Sequence, residues 1–459
     1  MNRTLVFSLL VGAGLDTHAA AVPIFNPAGV AVTVSSAGMI DRGNPFFKPL
    51  GNGRSCASCH QEGEAWTITP PGLRRRFATS SGRDPVFRPL DGANRPDAPV
   101  ATLDQRRRAY GMLLTRGTIR IGMPIPAGAE LTLARADDPY GHASARELSL
   151  FRRPLPSANL RFNAGIMWDN RESPQERASG LCIVDTRPLQ CFAGLQANLL
   201  RQASSAVRAH AQASRDLSAA DQRAIVHFER GLNVAQAFSF DAGSLLGAGA
   251  LGGPQRVATQ VFYFGINDVE AGDYATGARF DPNAMTLFSS WRKLAPTSPL
   301  NRARAAIARG EALFNTRPMN ISQVAGFSDV LRRPLQRGTC SSCHNAPNIG
   351  SHSVTRAFNI GTTAAMFRTP DMPLYTLRHN QTGELVETTD PGVAMVTGKW
   401  RDIGKFKTPG LRALAARAPY FHDGSARTVE DVVGFYEVRF KLGLSAQESA
   451  DLAAFLKAL

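Results

Sequence analysis

The chain has no hydrophobic run long enough to cross a membrane. Its most apolar stretch, Thr4–Leu15, is shorter than the roughly 20 residues that a spanning helix needs. Arg3 precedes this stretch and the small residues Ala19–Ala21 follow it, which is the pattern of a cleavable export signal. We therefore predict a signal peptide over residues 1–21, a mature chain that starts near Val22 in the periplasm, and no stable membrane insertion.

The chain also lacks a concentrated block of one charge. The formal net charge is +15, from 52 lysines and arginines against 37 acidic residues, but the arginines are scattered along the sequence. A nucleic-acid-binding protein would show a basic patch beside a recognition motif, and neither stands out. The excess positive charge fits a solvated basic surface, or a surface that steers an acidic protein partner.

Cysteine is scarce, and four of the six cysteines fall in two copies of one pentapeptide, Cys56–His60 and Cys340–His344. A thioredoxin-type pair would not need the histidine, and zinc would need further cysteines or paired histidines nearby. In c-type haem sites the two thiols bond the porphyrin and the adjacent histidine binds the iron. Two covalent haems are therefore predicted, on the thiols of Cys56, Cys59, Cys340 and Cys343, with His60 and His344 as iron ligands.

The two remaining cysteines, Cys182 and Cys191, lie close together in the sequence. In an oxidising compartment this spacing favours a disulfide that closes a short loop. Two separate buried thiols are the alternative, and we assign neither arrangement a redox role.

The wide separation of the two motifs predicts one domain for each. We expect a first haem domain over 22–237, an inserted loop or linker region over 238–298, and a second haem domain over 299–459. A helix over Asn301–Phe314 and a final helix that starts at Ser445 would pack across each other beside the second haem. The expected fold is mainly α, with two c-type cytochrome-like haem domains and long irregular loop insertions.

Further segments carry a family resemblance. Lys405–Arg412 and Ala418–Ser425 resemble the C-terminal signature of bacterial dihaem cytochrome c peroxidases and MauG-type enzymes. Phe162–Ala164 followed by Trp168–Arg171 resembles the segment that places a tryptophan between the two haems, and Asp390–Gly398 resembles the loop before the signature. The resemblance covers most of the C-terminal third and short islands before it.

The resemblance implies a division of labour between the haems. The first, with His60, would meet hydrogen peroxide, and the second, with His344, would store or relay electrons. Peroxide reduction takes two electrons and a one-electron donor delivers one at a time, which explains the need for two irons. Trp168 would carry charge between them, and its alternative is an ordinary core aromatic.

Tyr436 is the residue that the resemblance places opposite His344 on the second iron. Peroxidases of the family have methionine there, whereas MauG-type enzymes have tyrosine. An anionic oxygen ligand stabilises oxidised iron and lowers its potential, so Tyr436 favours holding oxidising equivalents. A core tyrosine, with Met395 or no residue as sixth ligand, is the alternative.

The acid–base residue at the first haem departs from the family pattern. Arg208 stands where the family has a glutamate, and His210 lies two residues further on. His210 would then move the proton while Arg208 polarises the O–O bond. His210 is otherwise a polar surface residue, and His142 is a candidate displaceable ligand above the first iron.

The resemblance also makes calcium a candidate cofactor. Family members bind it between the domains through an asparagine and carbonyls near the Thr-Pro of the signature. Thr408 and Pro409 are present, but Arg152 and Arg153 stand where the asparagine is expected. An arginine could fill such a cation site electrostatically.

Three functions follow. The first is a cytochrome c peroxidase that takes electrons from a small periplasmic donor protein, and the second is MauG-type oxidation of a residue on a partner protein. The third is a non-catalytic dihaem electron carrier, whose irons would both be inert to peroxide.

Overall fold

The computed structural model describes residues 21–173, 195–327, 329 and 337–459. The protein is 34% helical and 18% strand, so its fold is mixed α/β and the expectation of a mainly α fold is wrong. The predicted signal peptide and the pair Cys182 and Cys191 lie outside the described residues, apart from Ala21. Among the described helices, none is long and apolar enough to cross a membrane.

The helices begin where side chains cap their first turn. Ser298 accepts a hydrogen bond from the backbone N–H of Asn301 (3.1 Å), and Ser445 and Glu448 form the predicted capping box of the final helix. The α-helices are α1 (Pro70–Ser80), α2 (Pro89–Gly92), α3 (Leu103–Ala109), α4 (Gly111–Arg116), α5 (Leu195–His210), α6 (Ala219–Gly231), α7 (Pro254–Thr259), α8 (Pro299–Thr316), α9 (Cys340–Cys343), α10 (Ala394–Thr397), α11 (Val429–Phe440) and α12 (Ala446–Lys457).

The strands form several small antiparallel sheets. A four-stranded sheet has the order β1-β2-β6-β7, a three-stranded sheet the order β12-β11-β4, and three pairs join β3 to β5, β8 to β9 and β10 to β13. The strands are β1 (Val22–Asn26), β2 (Gly29–Ser35), β3 (Ile119–Met123), β4 (Leu131–Asp137), β5 (Leu148–Arg152), β6 (Leu232–Ser239), β7 (Gly243–Ser244), β8 (Met319–Asn320), β9 (Arg337–Gly338), β10 (Ala357–Phe358), β11 (Leu374–His379), β12 (Leu385–Thr388) and β13 (Phe406–Lys407).

The error in fold class has a physical origin in long-range strand pairing. β4 lies in a stretch without clear periodicity, yet it pairs with β11, in which Leu377 stands opposite Leu133. β2 pairs with β6 in the same way, and Val32 stands opposite Ala235. Pairings between distant segments satisfy backbone hydrogen bonds that local sequence patterns do not reveal.

The second haem motif is flanked by the two helices predicted to pack together. α8 and α12 cross at Gly310, where a side-chain Cβ would come within 2.0 Å of the Asp451 carbonyl oxygen. Beside this crossing, Arg309 forms an ion pair with Asp451 at 2.6 Å. The close approach depends on glycine, since only a residue without Cβ fits there.

The predicted linker region 238–298 packs against these same helices. The Phe288 N–H donates to Glu311 of α8 at 2.6 Å, and the Met285 N–H donates to Asn315 at 3.3 Å. Trp291 shares a hydrophobic core with residues of α8, α11 and α12. β6 extends to Ser239, across the predicted boundary at 237, and the domain limits themselves stay a prediction.

Candidate functional site

The first Cys-x-x-Cys-His motif is a single 3₁₀ turn. The His60 N–H donates to the Cys56 carbonyl at 3.0 Å, so both thiols and the imidazole face one cavity. His60 Nδ1 lies 3.0 Å from the Trp66 carbonyl oxygen, which can only accept, so Nδ1 carries the hydrogen and Nε2 is left to bind a metal. Burial lowers the pKa of His60 and keeps its imidazole neutral.

The second motif forms α9 and repeats this arrangement. The His344 N–H donates to the Cys340 carbonyl at 3.0 Å, and His344 Nδ1 donates to the carbonyl of Gly350. Burial lowers the pKa of His344 to about 4 and raises that of Cys343 to about 12. All four motif cysteines are free of disulfides. Each cavity thus offers two thiols and a neutral imidazole, the set that a covalent haem requires.

Buried cations between the two cavities provide a second test of fit to haem. Arg153, Lys407 and Arg417 line both cavities, and Arg412 lines the first. Burial lowers the pKa of Lys407 to about 7 and that of Arg153 to about 9. The two terminal nitrogens of Arg412 have no hydrogen-bond partner among the described residues. Buried cations of this kind require anions, and haem propionates would supply them, so the residues present fit the cofactor.

Trp168 lies between the two cavities and lines both. Its indole Nε1 donates to the Arg153 carbonyl at 2.8 Å, and its own carbonyl accepts from the Lys407 N–H at 2.8 Å. The centroid of its ring is 6.4 Å from that of His422. The indole is therefore fixed in the wall that separates the cavities.

An ion cluster next to Trp168 holds this wall in place. The Arg152 guanidinium, 2% exposed, pairs with Asp169 and with Asp390, which lies 2.7 Å away. Burial alone would raise the pKa of Asp169, but the charges of Arg171 and Arg152 hold it at about 2. In the described part of the chain no group of three or more acidic, histidine or cysteine residues could hold a metal ion. Arg152 thus supplies positive charge to Asp169 and Asp390, at the position where the family resemblance leads one to expect a calcium-binding asparagine.

Tyr436, on α11, lines the second cavity together with Cys340, Cys343 and His344. Burial and the neighbouring thiols raise the pKa of its phenol. No described residue hydrogen-bonds its hydroxyl. Met395 packs instead against Leu131 and other core residues and does not line this cavity.

His210 and Arg208 of α5 face different surroundings. His210 lines the first cavity, and its Nδ1 lies 2.6 Å from an oxygen of Asp91. The Arg208 side chain is 49% exposed, donates to the Ala213 carbonyl at 3.1 Å and does not line the cavity. His142 does not line the cavity either, and its Nε2 is 3.5 Å from Glu147.

Glu229 is a candidate that the sequence reasoning missed. It lines the first cavity and is 7% exposed, and its carboxyl group has no hydrogen-bond or ion-pair partner among the described residues. Burial raises its pKa to about 8, so it is mostly protonated at neutral pH. The available signal was its position on α6, four residues after Ile225 and next to Phe228, on the apolar face of that helix.

Comparisons with known proteins identify relatives for part of the chain. No family model matches it. Cytochrome-c peroxidase IdrP2 of Denitromonas iodatirespirans is 34% identical over 134 residues, which are 27% of this chain and 36% of that protein. Cytochrome-c peroxidase IdrP2 of Pseudomonas sp. (strain SCT) is 30% identical over 200 residues, 39% of this chain and 53% of that protein. Cytochrome c peroxidase Ccp of Escherichia coli (strain K12) is 30% identical over 122 residues, 26% of this chain and 22% of that protein.

These curated relatives are bacterial cytochrome c peroxidases, which confirms the resemblance inferred from the sequence. Cytochrome c peroxidases are oxidoreductases. The chain spans between about a third and a half of the length of the IdrP relatives that it matches. A solved structure, of a MauG-like protein associated with microbial copper homeostasis, is 16% identical and covers 92% of this chain and 88% of that chain, with a TM-score of 0.36.

Proposed function

We propose that this chain is a periplasmic two-haem c-type oxidoreductase that reduces hydrogen peroxide with electrons from a small one-electron donor protein. Each Cys-x-x-Cys-His motif would hold one haem, with His60 as a ligand of the first iron and with His344 and Tyr436 as ligands of the second. The haems would supply the redox chemistry of peroxide reduction. The cytochrome c peroxidases among the relatives support this activity class.

The observation that carries the proposal is the placement of Trp168. Trp168 lines both cavities, and hydrogen bonds hold both its indole Nε1 and its backbone carbonyl. An indole can be oxidised and reduced, so it can pass single electrons between the two sites. This suits a reaction that needs two electrons at one place while the donor supplies one at a time.

The first cavity is the better place for the peroxide because it carries groups that handle protons. His210 presents an imidazole there, and Glu229 a carboxyl that burial keeps protonated near neutral pH. Peroxide reduction consumes protons, and positioned acids and bases speed such transfers. The described lining of the second cavity contains Tyr436 and His422 but no acidic residue.

A second candidate is MauG-type oxidation of a residue on a partner protein. The specific observation that favours it is Tyr436, whose hydroxyl is free of protein partners in the described chain and lines the His344 cavity. A phenolate would stabilise the oxidised iron and disfavour electron uptake from a high-potential donor. The net charge of +15 suits an acidic partner in either case.

Trp168→Phe tests the proposal, with Trp291→Phe as a matched control. Trp291 is also buried and also donates from Nε1 to a carbonyl, that of Gly247 at 2.9 Å, but it lines neither cavity. Mass spectrometry should find two haems in each variant. Donor-dependent peroxide turnover should fall by orders of magnitude in Trp168→Phe alone. Equal turnover in both variants would remove the support that Trp168 gives to the proposed peroxidase function. A wild type inert to peroxide would instead favour a non-catalytic electron carrier.

A further inference from the structure

A buried relay of three side chains ends at the wall of the first cavity. Arg54 Nη1 is 2.5 Å from one oxygen of Asp91, and the other oxygen of Asp91 is 2.6 Å from His210 Nδ1. The Arg54 and Asp91 side chains are 3% and 7% exposed, whereas His210 is 33% exposed. Arg54 and His210 both line the first cavity, and the buried Asp91 joins the two side chains without lining it.

Backbone carbonyl groups fix the Arg54 end of the relay. Arg54 Nε donates to the Pro85 carbonyl at 2.8 Å and Nη2 donates to the Val86 carbonyl at 2.7 Å. Burial alone would raise the pKa of Asp91, but the hydrogen bond from His210 and the charge of Arg54 outweigh it and lower the pKa. Asp91 is thus an anion at neutral pH with both oxygens engaged.

The His210 end of the relay is fixed as well. The His210 carbonyl, at the end of α5, accepts hydrogen bonds from Asn52 Nδ2 at 3.0 Å and from Arg54 Nη1 at 3.1 Å. Because a carboxylate only accepts, His210 Nδ1 must carry the hydrogen that joins it to Asp91. Nε2 is then the nitrogen left to interact with a molecule in the cavity.

We propose that Asp91 is the positioning residue of the first cavity, and that it holds His210 with Nε2 directed at an oxygen of the bound peroxide. This rests on the proposed function. Nε2 takes the proton from one peroxide oxygen and returns it to the other as the O–O bond breaks. The departing oxygen keeps the bonding pair and leaves as water. The oxygen that remains becomes the second water when it takes up two protons from solvent and two electrons, which the one-electron donor would supply through the haems. A carboxylate that orients an imidazole and stabilises its protonated form is the general way to prepare such a base.

Fluoride binding to the ferric protein tests the relay without peroxide turnover. Fluoride binds ferric haem and accepts hydrogen bonds. A proton that enters with the anion can be held on Nε2 and donated to fluoride, so the Kd measured at one fixed pH reports an imidazole directed at the ligand. The variants are Asp91→Asn, His210→Gln and the pair together. Asp84→Asn is the control, because Asp84 pairs with Arg76 at 2.5 Å near Cys59 and does not contact His210. Haem content by mass and far-ultraviolet circular dichroism establish that each variant is folded.

If Asp91 acts through His210, each single variant weakens fluoride binding by about 10- to 100-fold, and the double variant binds no more weakly than His210→Gln alone. Asp91→Glu should restore most of the affinity, and Asp84→Asn should stay within about twofold of wild type. Additive losses would assign Asp91 a merely structural role and overturn the inference, as would a wild type that binds no fluoride.

If Asp91→Asn fails to retain both haems, Asp91→Ser replaces it in the comparison of single and double variants. The two proposals fail separately in this design. If the fluoride affinities of the single and double variants are non-additive as predicted but the protein does not reduce peroxide, only the proposed function fails. If the losses of fluoride affinity are additive in an active peroxidase, only the role of Asp91 fails.

Discussion

Replacing Arg152 by methionine should destabilise the protein by about 3–5 kcal/mol at pH 7, because the change leaves buried carboxylates without their cation. Asp169 and Asp390 are 0% and 1% exposed, and both contact the guanidinium. Methionine fills similar volume, so most of the loss is electrostatic. Asp169 retains Arg171, at 3.1 Å, whereas no other arginine or lysine pairs with Asp390 in the described chain.

The magnitude follows from the pKa of Asp169. Its folded value of about 2 lies below the unfolded value of about 3.9, so its ionised form contributes about 2–3 kcal/mol above pH 4. Because the folded value is the lower one, this stability is lost as pH falls through about 2. Without Arg152, burial raises the pKa of the Asp169 carboxyl, and its protonation then relieves part of the cost. The difference between wild type and variant should therefore shrink as pH falls from 7 to 5.

Urea unfolding followed by circular dichroism at both pH values measures this difference. Arg107→Met is the control, since Arg107 and its partner Asp104 are 62% and 72% exposed, and it should change stability by less than about 0.5 kcal/mol. A loss below about 1 kcal/mol for Arg152→Met, or an equal loss at pH 7 and pH 5, would refute the reasoning.

Three further predictions concern other residues. Tyr436→Phe should abolish a low-spin His–Tyr signal in the electron paramagnetic resonance spectrum, and an unchanged spectrum would mean that another residue is the ligand. Tyr436→Met should raise the reduction potential of the second haem. Glu229→Gln should gain about 4 kcal/mol of stability relative to wild type as pH rises from 4.5 to 8. Over this range Glu229 ionises in the unfolded chain, whereas its folded pKa of about 8 keeps it largely protonated, so the wild type loses stability. Parallel pH profiles in urea unfolding would contradict this. A calcium chelator should leave the unfolding midpoint unchanged, because Arg152 already neutralises Asp169 and Asp390; a lowered midpoint that calcium restores would show a metal site.

The parts of the fold that the sequence predicted are those governed by local rules. The capping box at Ser445 and the helix around Asn301–Phe314 depend on neighbouring residues, and both are present. The strands were missed because their partners lie far away in sequence, as in the pairing of Leu133 with Leu377. Local patterns carry no information on which distant segment satisfies a strand's hydrogen bonds.

The candidate site likewise has residues that the sequence singled out and contacts that only the fold reveals. Short motifs and a family resemblance were enough to single out His60, His344, Trp168 and Tyr436, whose roles stay proposals. The assignment of partners needed the fold, because α5 brings His210 beside Asp91, more than a hundred residues earlier.

The most direct test of the central claim is the electron paramagnetic resonance spectrum of the ferric protein, frozen before and soon after one equivalent of hydrogen peroxide is added. If two haems share the oxidising equivalents through Trp168, the resting protein should give two distinct ferric signals, a high-spin one from the His60 site and a low-spin one from the His344 site. Both signals should be lost together after peroxide is added. Loss of one signal alone would contradict sharing, and two unchanged low-spin signals would identify an electron carrier instead.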